Sequence, residues 1–228
     1  MGTHSRLDRW LVLLVAVLLC LSPACALRGG VVHPELKTAG DGQDLLALSD
    51  NLEALIAAGR DTPADREYAY EIARADDEAT ATALFARAAV IGRLVQQRGL
   101  RAAHLLPEIE RCARRSRDLD LDFRGGAATR LLGTLYVMAP ALRLEHGDSE
   151  IGIELLEGLV QTHPDVLENH LRLAEAYITL HDPAPAGYHL CRCLAHKAAL
   201  RADDQRLLQQ LVDDAGRPPC TQTPGALP

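Results

Sequence analysis

From residue 44 onward the chain alternates apolar stripes at helical spacing with short breaks rich in Gly, Pro or charge. Leu45, Leu48, Leu52, Leu55 and Ile56 recur every three or four residues across 44–58, and Gly59 closes the pattern. Thr62-Pro63, a capping residue followed by a first-turn proline, opens a helix carrying Tyr68 and Ile72. The stripe Leu84, Ala88, Ile91 and Val95 predicts a longer helix over 77–98, stopped by Gly99. Pro107 divides the next stretch into a turn at 100–105 and a helix over 107–117. No stretch alternates with the period of two that a half-buried strand requires. Residues 26–43 hold Gly29-Gly30, Pro34, Gly40 and Gly42 without periodicity and read as a tether. Residues 217–228 read as a tail, which leaves 44–216 as the folded domain.

The second half of that domain repeats itself. Gly147-Asp148 is answered 34 residues later by His181-Asp182, Gly152 by Ala186, Leu156 by Leu190, Leu159 by Cys193, and Pro164 by Ala198. That period, with small residues in one slot and Leu in another, marks a tetratricopeptide helical hairpin. Leu132-Gly133-x-x-Tyr136 fills the first-helix pattern of one unit, and Leu173-Ala174 with Tyr177 fills that of the next. The second helices fall at 148–161 and 185–199, the other first helix at 168–180, and a polar capping helix at 203–214. The predicted fold is therefore all-α, a right-handed α-solenoid of tetratricopeptide-like hairpins, with clear repeats at 127–199. Seven residues normally separate the first-helix Gly from the turn Gly. Here Gly133 and Gly147 lie fourteen apart, so the unit carries a seven-residue insertion within 137–146 that includes Ala139-Pro140. Such insertions sit on one edge of a solenoid, where binding features concentrate. Aligning Ala174 with the Gly slot puts Glu168, Leu171, Glu175 and Ile178 on the concave face. For Leu171 and Ile178, ordinary packing is the competing reading.

Composition supports helices: 48 % of residues are apolar but only 4 % aromatic, with Ala and Leu dominant. A formal charge of −7 gives nucleic-acid binding no electrostatic footing. Arg6 and Arg9 precede an apolar run from Trp10 to Leu21, too short to span a bilayer comfortably and shaped like a secretory leader. Two ends to that leader compete. Ala24-Cys25-Ala26 suits ordinary cleavage after Ala26. Alternatively, Cys25 becomes the lipidated first residue and anchors the protein to a membrane. Both readings give an exported chain in which disulfides persist. Cys191 and Cys193 point in different directions on one helix, so either is a candidate partner for Cys220, and Cys193 also reads as a small core residue. His189, Cys193 and His196 share a helical face, but no fourth ligand completes a zinc site. Gly125-Gly126 at a helix start offers backbone N–H groups to an anion, or close packing to a neighbour. No nucleophile–base pattern follows a catalytic template, and no cofactor is implied.

Several of these residues carry a resemblance. Gly125-Gly126, Arg130, Gly133, Tyr136, Ala139-Pro140, Gly147-Asp148, residues 154–157, Pro164, Glu168-Asn169 and residues 173–177 together resemble the tetratricopeptide-like T component of tripartite ATP-independent periplasmic (TRAP) transport systems. The similarity covers about residues 124–198, with a fainter echo at 87–95. It implies a helical periplasmic lipoprotein with a ligand groove or pore, a periplasmic solute-binding protein as partner, and homo-oligomerisation. Tyr136, Ala139 and Pro140 become candidate binding residues beside the concave-face set, with a small apolar ligand as a further occupant. Ala141-Leu142-Arg143 depart from the aromatic that often comes after Ala-Pro in that family. A scaffold for envelope protein assembly, handling no solute, is the alternative from a different class.

Overall fold

In the computed structural model, which describes residues 30–217 and Cys220, every regular element is a helix. In chain order these are α1 (Pro34–Asp41), α2 (Leu45–Ala57), α3 (Pro63–Ala75), α4 (Ala81–Arg98), α5 (Leu106–Leu119), α6 (Ala127–Met138), α7 (Ser149–Thr162), α8 (Leu167–Thr179), α9 (Pro183–Ala195) and α10 (Ala202–Asp214). Short 3-10 turns occupy Gly99–Leu105, Ala141–Arg143 and Lys197–Ala199. None of the described helices is long and apolar enough to cross a membrane.

Local chemistry sets most of these boundaries. Asp44 caps α2 by accepting from the Ala47 N–H at 2.9 Å. Thr62 and Asp65 form a reciprocal capping box on α3, and Pro63 occupies its first turn. The helix expected from residue 77 starts at Ala81, because the Thr80 hydroxyl accepts from the Ala83 N–H and so marks the true end. Asp148 caps α7 through the Glu150 and Ile151 N–H groups.

The tether expected at 26–43 is corrected where it is described, since residues 34–41 form α1. Only Leu36 and Ala39 of that helix are buried, too few to betray a period among the glycines around them. Its start is fixed from afar: the backbone and ring Nδ1 of His33 each lie 2.9 Å from the buried Asp65 carboxylate. Burial opposes the charge of Asp65, but its bonds from His33 and Thr62 hold its pKa below the ordinary value.

The even-numbered helices contact one another in sequence, α2 to α4, α4 to α6, α6 to α8 and α8 to α10, and α10 returns to touch α2. The order is cyclic. Each of α3, α5, α7 and α9 packs against the even helices beside it in the chain. Apolar clusters fill the joints. Leu48, Leu52, Leu55 and Ala86 join α1–α4; Leu84, Ile91, Leu94, Ile109 and Leu132 join α4–α6. Val137, Leu156, Leu173 and Ala176 join α6–α8, and Leu171, Leu190, Leu208 and Leu211 join α8–α10.

The paired slots of the repeat face inward as the period requires. Leu156 and Leu190 are both fully buried, as are Ala186 and Cys193. Gly133 and Gly152 let α6 and α7 approach until a β-carbon on Gly152 would lie 2.9 Å from the Gly133 carbonyl oxygen. A methyl group there meets backbone, which cannot swing aside as a side chain can.

Candidate functional site

Two features outside ordinary packing stand out: the inserted edge after α6 and the polar face of the even-numbered helices. The edge is built around Glu110 on α5, whose side chain is almost wholly buried. Its Oε1 accepts from the Tyr136 hydroxyl at 2.9 Å and the His146 N–H at 2.8 Å, while Oε2 accepts from the Glu145 N–H at 2.7 Å. A single carboxylate thus ties the returning end of the insertion to α5 and α6. The Tyr136 hydroxyl is raised in pKa by burial and by its bond to Glu110. Gly147 completes the arrangement, since a β-carbon there would run into the Tyr136 ring.

This anchoring holds the middle of the insertion out in solvent. Pro140 is exposed and Ala139 half-buried, and Leu142 is 99 % exposed at the tip. Met138, also exposed, accepts a long bond at its sulfur from the Thr179 hydroxyl at the end of α8 (3.8 Å). Exposed Leu180 comes directly after it. The edge therefore presents the apolar side chains of Met138 and Leu180 where α6 and α8 end, with Leu142 on the anchored loop between α6 and α7.

The polar face is a network of arginines and carboxylates drawn from residues far apart in sequence. Arg93 of α4 holds Glu53 of α2 in a two-pronged contact, with Nε 2.6 Å from Oε1. Arg201 reaches Glu53 at 2.9 Å, Asp203 at 3.2 Å and Asp204 at 3.3 Å. Arg172 of α8 bonds Glu175 and buried Asp204, each at 2.8 Å. Burial works against the charge on Glu53, yet Arg93 and Arg201 hold its carboxyl below the usual range. Burial likewise opposes Arg172, and Glu175 with Asp204 outweighs it. Arg130 of α6 differs. It donates to the Asn169 side-chain oxygen at 2.6 Å, a neutral partner, and burial lowers its pKa.

The predicted concave residues divide. Glu175 belongs to this network, through Arg172. Glu168 is half-buried on α8, with its charge felt by Arg130. Ile178 is half-buried and packs against the α8–α10 core. Leu171 is corrected: it is fully enclosed by the α8–α10 cluster and so packs the core, lining no open face. Tyr136 is corrected in the same sense, because it is 3 % exposed and acts from beneath, positioning the edge through Glu110. The anion reading of Gly125-Gly126 gives way to packing, for a β-carbon on Gly126 would collide with Leu159 and one on Gly125 would lie 2.7 Å from Val166. Cys25 lies outside the described residues.

The cysteine alternatives resolve as Cys191–Cys220, which ties the tail to α9. Cys193 stays reduced in the small-residue slot, its thiol pushed up to about 12 by burial. Among the described residues no cluster of three or more His, Cys, Asp or Glu side chains could hold a metal ion, the face of His189, Cys193 and His196 included.

His189 meets His170 of α8. Their Nδ1 atoms are 2.8 Å apart in a buried setting, and His170 Nε2 lies 2.8 Å from the Pro164 carbonyl. A carbonyl only accepts, so His170 carries a proton on Nε2; in the neutral pair its Nδ1 accepts and His189 donates from Nδ1. Burial lowers the pKa of both, His189 to about 4.

Compared with known proteins, the chain matches no family model and no curated protein.

Sequence reasoning missed Glu110 and the arginine–carboxylate network. Glu110 sits 26 residues before Tyr136, and nothing local marks it as buried. The network joins residues up to 148 apart, beyond the reach of any periodic pattern.

Proposed function

We propose that this protein is a non-catalytic, exported helical-repeat protein, a right-handed solenoid of tetratricopeptide-like hairpins. It serves as an accessory component of TRAP-type transport, docking a periplasmic solute-binding protein on the inserted edge. Cys25 carries the lipid that holds it at the membrane. The observation that carries this reading is the edge itself. Glu110, Tyr136 and Gly147 commit buried hydrogen bonds and a close backbone approach to holding Leu142 out in solvent. A loop with no task has no need of a buried carboxylate beneath it. The resemblance at 124–198, whose most specific part is this Ala-Pro segment, supplies the transport context. The Cys191–Cys220 disulfide supports export, because such bonds persist in oxidising compartments.

Native mass spectrometry of the mature protein purified from its own envelope tests the reading. A solute-binding protein in the complex, lost on Leu142→Asp, is the expected result. A complex holding only envelope-assembly proteins would favour the scaffold alternative and overturn the transport role. Membrane retention tests the anchor separately: Cys25→Ser should release the protein, and unchanged retention would contradict lipidation.

A further inference from the structure

The cyclic contact order has one joint unlike the rest. Four joints between successive even-numbered helices are served by apolar clusters. At the fifth, between α10 and α2, none of those clusters crosses. The buried apolar residues of α2 belong to the α1–α4 cluster, and those of α10 to the α8–α10 cluster. What crosses the seam is polar. Arg201 Nη1 meets Glu53 at 2.9 Å, and the Arg206 guanidinium lies 3.5 Å from the Ala57 carbonyl, at the limit of a hydrogen bond. Arg201 itself is 40 % exposed, so its pairs are open to screening.

We propose that the α2–α10 seam is an electrostatic latch, a salt-sensitive gate that opens and closes the polar face carrying Arg130, Arg172 and Glu175. When Arg201 releases Glu53, that carboxylate keeps Arg93 as its partner, and Arg201 keeps Asp203 and Asp204. Opening thus strands no charge and parts none of those apolar clusters, whereas parting any other joint would uncover leucines. The gate needs no assumption about what docks on the inserted edge.

Spin labels on Arg60→Cys and Gln210→Cys, both exposed positions flanking the seam, read the opening as a distance. Among the described residues Cys112 and Cys193 are buried and Cys191 is bonded to Cys220, so there the engineered thiols are the reactive ones. At low ionic strength the full-length mature protein should give one short distance. Raising salt toward ~1 M, where the Debye length shrinks to about 3 Å, should add a longer population at least several-fold above its low-salt level. Arg201→Ala should show that population already at low salt, and Arg201→Lys should largely restore the short distance. A single unchanged distance in the wild-type sequence at both salt levels would overturn the proposal, and that comparison stands even if Arg201→Ala fails to fold.

Discussion

Glu110→Ala is the perturbation that most sharply probes how the inserted edge is held. The substitution removes the acceptor for the Tyr136 hydroxyl and for the Glu145 and His146 N–H groups. Hydrogen bonds to a charged group contribute roughly 1.5–3 kcal/mol each, but three of them do not add to a simple sum. Glu145 and His146 are exposed residues, so their amides can turn to water once the loop is free. The Tyr136 hydroxyl proton has no such escape, since its side chain is buried beneath Gly147, although Arg114 still donates to its oxygen. One stranded buried hydroxyl costs about 1–3 kcal/mol, and the small void left by the carboxylate adds to that. The expected loss is therefore about 2–4 kcal/mol in urea-induced unfolding, with amide exchange across 139–147 accelerated well beyond the global change. Tyr136→Phe removes only one of the three bonds and should cost about 1 kcal/mol. Combined with Glu110→Ala it should cost little more than Glu110→Ala alone, because both changes break the same contact. A Glu110→Ala protein within about 0.5 kcal/mol of wild type, with unchanged exchange at Glu145 and His146, would refute the idea that this carboxylate organises the edge.

The same structure sets three further outcomes. The unfolded His189 takes up a proton near its ordinary value of about 6.5 and the folded one only near about 4, so stability should fall by about 2–4 kcal/mol as pH drops through that window; His189→Asn, which keeps a donor toward His170 without titrating, should flatten the slope of a pH series of denaturation curves. Gly152→Ala should destabilise by about 1–3 kcal/mol in the same assay, since its β-carbon meets the Gly133 carbonyl at 2.9 Å; a neutral result would mean that α6 and α7 are not held so close. Cys191→Ser should cost about 2–4 kcal/mol and loosen α10, measured as faster exchange over 202–217, because the bond closes a loop that contains that helix.

The repeat in the second half was legible because its slots are local and periodic. Gly152 and Ala186, Leu156 and Leu190, and Leu159 and Cys193 all proved buried, in the small and large positions that the 34-residue offset assigned to them. The cap at Thr62 was legible for the same reason, since it acts within a few residues of itself. Long-range chemistry was not. Helix α1 rests on two apolar residues and on an Asp65 contact 32 positions away. Leu171 occupied a concave slot by alignment, but α10 folds over it and encloses it. The offset placed Cys193 in the packing slot, but spacing alone left open whether Cys191 or Cys193 reaches Cys220, because the approach of the tail is long-range. His170 and His189 read as separate residues until the hairpin placed their rings together.

Amide hydrogen exchange on the mature protein, alone and then saturated with the solute-binding protein purified from the same envelope, decides whether the inserted edge docks that partner. New protection is expected at 138–146 and 179–182, around Met138, Leu142 and Leu180, and should disappear with Leu142→Asp. Protection confined to other surfaces, or none at all, would contradict a docking role for the inserted edge.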